Sequence, residues 1–70
     1  MSGIVTLLTD FGYMDGYVAE MKGVLLSLNP GLTIVDITHT VDPHDIVHGA
    51  YILGTAAPRF PSETIHVVVV

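Results

Sequence analysis

The run His66-Val67-Val68-Val69-Val70 limits what this chain can fold into more than any other stretch. Side chains along a strand alternate between its two faces, so consecutive valines place apolar groups on both. A strand of that kind expects cover above and below, the situation of a central strand in a parallel sheet flanked by helices. Ile65 to Val70 therefore reads as a strand of an α/β domain, and the preceding residues should supply the crossovers.

They do. Ile4 to Thr9, "IVTLLT", is short, β-branched and apolar and ends at Asp10, which suits a buried strand. Val18, Met21, Val24, Leu25 and Leu28 then recur at helical spacing, with Asp15 and Gly16 where that helix begins and Asn29-Pro30-Gly31 where it ends. Leu32 to Ile37, "LTIVDI", reads as a second strand. Asp42-Pro43-His44-Asp45 offers an N-cap, a proline at the first helical position and an acid in the first turn, and the helix that follows puts Ile46, Ala50, Leu53 and Ala57 on one face. Gly23, inside the first helix, costs about 1 kcal/mol relative to alanine and points to close helix packing. The order βαβαβ, with linkers of about 3–8 residues, predicts an α/β domain with a parallel sheet and right-handed crossovers.

The chain is short for that architecture. It has 70 residues and no cysteine, and chains of this size seldom gain more than about 3–5 kcal/mol from one core. Two helices and three strands can hardly cover the valine strand on both faces. The expectation is that residues 1–70 form the front part of a larger parallel-sheet domain, cut after its third strand.

Charge and hydropathy exclude several functions. Seven acids stand against Lys22 and Arg59, a formal net charge of -5, so the phosphate contacts of nucleic-acid binding are not available. Without cysteine there is neither a disulfide framework nor a thiolate metal site. The start lacks the basic region of a signal peptide, and no apolar segment approaches the ~20 residues of a membrane span. A soluble, cytoplasmic protein without a membrane partner is expected.

In open parallel sheets, ligands bind outside the carboxyl ends of the strands. That places the candidate site at "TDFGYMDGY", Thr9 to Tyr17, and "THTVDPH", Thr38 to His44. Asp10 has two readings: it accepts backbone N–H groups of its own turn, or it accepts hydrogen bonds from the two hydroxyls of a ribose. Asp15 either caps the first helix or meets a ligand ammonium. The triplet "DFG" alone does not make a kinase, since no glycine-rich loop or "HRD" accompanies it, and no phosphate-cradling glycine motif is present. His44 and His48 stand at i and i+4, flanked by Asp42 and Asp45, a spacing able to seat a metal, or else lie on the exposed helix face; no metal is assigned to them. His66 alternates within a strand and reads as structural. His39, at a strand end, is a weaker functional candidate.

The ordered motifs "LLTDFG", "MKGVL", "NP", "IVDITH", "DPHDI", "GAYIL" and "TIHVVVV" resemble the N-terminal part of the S-adenosyl-L-methionine hydroxide adenosyltransferases, the hydrolase family that also contains the fluorinases and chlorinases. The resemblance covers essentially the whole chain. It implies an N-terminal α/β domain that is incomplete without downstream strands and a C-terminal β-barrel domain, assembled as a homotrimer with substrate at subunit interfaces. S-adenosyl-L-methionine is the implied substrate, with no separate cofactor. Water or hydroxide would displace L-methionine at the ribose C5′ to give adenosine, or a halide would do so in the halogenating branch.

By the same resemblance, Asp10 matches the aspartate holding the ribose 2′ and 3′ hydroxyls, Asp15 the one meeting the methionine amino group, and Tyr17 a position facing that end. His44 falls where relatives usually carry Phe or Trp lining the pocket. The groups handling the attacking water are expected after Val70, beginning with a "DPGVG" segment, so no catalytic residue lies within 1–70 and the 70 residues alone are expected to be inactive. A halogenase is the first alternative. A non-catalytic metal or small-ligand module built on Asp42, His44, Asp45 and His48 is the second.

Overall fold

A computed structural model describes residues 3–70, and its elements follow the predicted order. Strand β1 spans Ile4–Thr9, helix α1 Tyr17–Leu28, strand β2 Thr33–Thr38, helix α2 Ile46–Ala56, a 3-10 turn Ala57–Arg59, and strand β3 Ile65–Val69. The three strands form one parallel sheet in the order β2-β1-β3. The fold is α/β, as the patterning predicts.

The strand covered on both faces is β1. Every residue from Val5 to Thr9 is buried, and Val5, Leu7 and Leu8 join Val18 and Val41 to make the apolar core. In contrast β3 pairs only with β1 among the described residues and lies at the edge of the sheet. Ile65 stays 62% exposed, Val68 39% and Val69 38%. The both-sided cover expected for the valine strand is thus not supplied by the described residues, because the β2-β1-β3 order gives the central place to "IVTLLT".

Both helices depart from their predicted faces. On α1, Val18 is buried and Met21 and Leu25 are half-buried, whereas Val24 and Leu28 are exposed. Gly23 is not a close-packing position: a Cβ built there meets no atom within 4 Å. On α2 the inward stripe is Gly49, Ile52, Leu53 and Ala56, with Ile46 and Ala50 exposed. The close approach belongs to Gly49, where an added Cβ would lie 3.5 Å from Val70 and 3.6 Å from Leu8.

The start of α2 is also corrected. Asp45, not Asp42, is the N-cap, its carboxylate accepting the His48 N–H at 3.0 Å. Pro43 and His44 therefore precede the helix, and His44 takes a left-handed backbone with φ 64°. Asn29 closes α1 as expected, its N–H donating to the Leu25 carbonyl and its side chain accepting the Gly31 N–H.

Candidate functional site

The site is assembled where β1 and β2 end. The β1–β3 ladder runs one residue past the strand, the Asp10 N–H donating to the Val69 carbonyl at 3.2 Å. Two further backbone groups then fold the chain over: Phe11 N–H donates to the Thr9 hydroxyl at 3.1 Å, and Gly12 N–H donates to the His39 carbonyl at 2.7 Å. Gly12 has φ 71°, a left-handed conformation that glycine adopts without a Cβ penalty. Asp10 is left half-buried at the mouth of this turn.

Its carboxylate is shared with the second loop. Asp10 Oδ2 accepts the His44 N–H at 3.2 Å, and it is the left-handed backbone at His44 that presents this amide. An ionised carboxylate offers about four lone-pair sites. One amide leaves room for two more donors, so Asp10 is equipped to bind a vicinal diol while remaining tied to both strand ends.

The other predicted residues are placed less tightly. Asp15 is exposed and does not act as the helix cap: the N-cap of α1 is Gly16, and no side-chain bond closes that end. Tyr17 opens α1, 57% exposed, with its ring 6.1 Å from that of Phe11. His44 and His48 are both exposed, and because α2 begins at Ile46 they do not share a helical face. Among the described residues no group of three or more His, Asp or Glu is placed to hold a metal ion.

Sequence reasoning undervalued His39. It is fully buried, with Nδ1 2.7 Å from the Thr9 hydroxyl and Nε2 2.8 Å from Asp36 Oδ1. Asp36 Oδ2 in turn accepts from Lys22 Nζ on α1 at 2.7 Å. Burial works against the charge on Asp36, but the hydrogen bonds from His39 and Lys22 and the positive charge of Lys22 outweigh it and hold the carboxyl below its ordinary value. A regular strand sends residues i and i+3 to opposite faces. Here the β1–β2 register shifts after Leu7, from Leu7↔Asp36 to Leu8↔Thr38, so Ile37 is skipped and Asp36 and His39 meet. The available signal was a Thr-Asp pair ending one strand and a Thr-His pair ending the next.

Fold and site together define a parallel α/β domain with a half-buried carboxylate, Asp10, at the carboxyl end of its central strand. The family described as the SAM hydroxide adenosyltransferase N-terminal domain matches residues 5–70, and the chain belongs to that family. It is 48% identical to a protein from Methanocaldococcus jannaschii named (R)-S-adenosyl-L-methionine hydrolase, the match covering 96% of this chain and 27% of that one. It is 39% identical to a fluorinase from Actinoplanes sp., over 89% of this chain and 21% of the fluorinase. A solved structure of an uncharacterized conserved protein from Thermotoga maritima superposes with a TM-score of 0.89 at 36% identity, covering 91% of this chain and 25% of that one. The chain thus spans about a quarter of the length of the curated relatives it matches.

Proposed function

We propose that this chain supplies the ribose- and methionine-anchoring part of an S-adenosyl-L-methionine hydrolase that forms adenosine and L-methionine. The observation carrying this reading is Asp10: a residue at the end of the central strand whose backbone N–H donates to the Val69 carbonyl of β3 and whose carboxylate accepts one amide, that of His44 in the loop after β2, with acceptor sites still open. Two adjacent ribose hydroxyls match two open acceptors. The exposed Asp15 is available to the methionine ammonium, with the exposed Tyr17 two residues on and His44, whose backbone amide meets Asp10, as a further substrate-facing residue. The hydrolase-named relatives, at 41–48% identity, support the same chemistry.

The reaction follows from the substrate. S-adenosyl-L-methionine is a sulfonium, so its leaving group departs as a neutral thioether. Water or hydroxide forms the O–C5′ bond, the C5′–S electron pair passes to sulfur, and the proton lost from water goes to a base. Anchors at both ends of the ligand align nucleophile, carbon and sulfur, and a dry site strips water from the nucleophile. Residues 1–70 provide anchors only; the reading takes the water-handling groups from elsewhere in the protein, and it uses the substrate without a separate cofactor. The homotrimer with substrate at subunit interfaces belongs to this proposal, supported by the exposure of Tyr13 at 63% and Met14 at 97% beside the site. No helix among the described residues is long and apolar enough to cross a membrane; a cytoplasmic location is part of the proposal.

The fluorinase relative supports a second reading, halide in place of water. Incubating the protein from its complete reading frame with S-adenosyl-L-methionine and chloride, then separating the products, decides between them. Adenosine is the expected product, and 5′-chloro-5′-deoxyadenosine would replace the hydrolase assignment with a halogenase.

A further inference from the structure

We infer that His39 is the positioning residue of the ligand site: through the Thr9 hydroxyl and its own carbonyl it sets the turn that aims Asp10 at the ribose. The inference rests on the ribose reading of Asp10 given above.

His39 touches the turn on both sides of Asp10. Its side chain meets Thr9, whose oxygen also takes the Phe11 N–H, and its carbonyl takes the Gly12 N–H. The Tyr13 ring packs edge-on against the imidazole with centroids 5.3 Å apart and planes at 90°. Thus Thr9, Phe11, Gly12 and Tyr13 are all referred to one buried side chain and its carbonyl.

The order of donors makes this a directional chain. The Asp36 carboxylate can only accept, so Nε2 of His39 carries the hydrogen and donates to it. In the neutral imidazole Nδ1 is then the acceptor for the Thr9 hydroxyl proton, and Thr9 Oγ1 keeps a lone pair for the Phe11 N–H. Each polar atom is matched, and the chain ends on Lys22 of α1. Any buried histidine needs partners for both ring nitrogens; what ties this one to the site is that its chain runs on through Thr9 to the amide that follows Asp10. Leaving a buried donor or acceptor of this chain unpaired costs far more than the bond is worth when made, so the turn should shift if one link is cut.

Thr9→Val cuts the link while keeping the volume; Thr9→Ser restores the hydroxyl. His39→Asn keeps an acceptor toward Thr9 but loses the donor to Asp36. The complete protein is titrated with adenosine and with 2′,3′-dideoxyadenosine, which lacks the diol, and thermal stability is followed in parallel. Thr9→Val should lower adenosine affinity about tenfold with little change for the dideoxy ligand, and Thr9→Ser should recover most of the loss. His39→Asn, the second variant should Thr9→Val fail to fold, should give a smaller loss in the same sense. Equal weakening of both ligands, or no change in either, in whichever variant folds, would overturn the inference. Asp10→Ala separates the two failures. If it abolishes discrimination between the ligands while Thr9→Val does not, the positioning role alone is wrong; if Asp10→Ala leaves discrimination intact, the ribose reading falls and this inference with it.

Discussion

Asp36 is a surface carboxylate doing the work of a buried one. With about a third of its side chain exposed, it still pairs Lys22 at 2.7 Å and the buried His39 at 2.8 Å. Its carboxyl titrates below the ordinary value of 3.8 in the folded chain. Because the folded value is the lower one, the pairing stabilises fully above the ordinary carboxylate range and is lost as pH falls through the folded value. Asp36→Asn should therefore cost stability at neutral pH, at most about 1 kcal/mol given the exposure, and the gap to the parent should close below about pH 4. Urea unfolding of both proteins across pH 3–7 measures it; a gap that does not narrow at the acid end contradicts the pairing. Residue types near strand ends were readable as candidates, and Asp10 was among them. The Lys22–Asp36–His39–Thr9 chain was not, because Thr9 and Lys22 lie far in sequence from the other two and Ile37 had to drop out of register to join Asp36 to His39.

Elements were legible in type and order, with their ends less so. β1 matches its predicted span, and β2 and β3 differ by a residue or so. At α2 two aspartates competed for the cap, and proline at the first helical position favoured Asp42. The structure uses Asp45, since capping there lets His44 turn back with φ 64° and give its amide to Asp10. A site contact thus overrides the local helix signal. Asp45→Ala should lower stability by about 1 kcal/mol, while Asp42→Ala should have less effect on helix capping. Denaturant midpoints of the two variants, read alongside helical circular dichroism, check this; the reverse order would restore the sequence-based cap. The inward stripe of α2 moved with its start, from Ile46 and Ala50 to Gly49 and Ile52.

At the scale of the molecule, the described chain is a slab of 33 × 29 × 12 Å with a small apolar core. Tyr13, Met14, Val24, Leu28, Ile46, Val47, Tyr51 and Ile65 are all exposed large hydrophobics. A core of this size gives at most about 3–5 kcal/mol. The 70 residues in isolation should show no cooperative monomeric thermal transition and no turnover of S-adenosyl-L-methionine. Calorimetry with sedimentation tests the first; a sharp two-state monomer transition would mean the exposed apolar surface is tolerated. Periodicity alone was enough to define an α/β chain of βαβαβ order, because side-chain repeat is a local property of the backbone. Which strand is central, which helix face turns inward and how His39 closes on Asp10 were decided by tertiary structure, because strand order and register depend on contacts between segments distant in sequence.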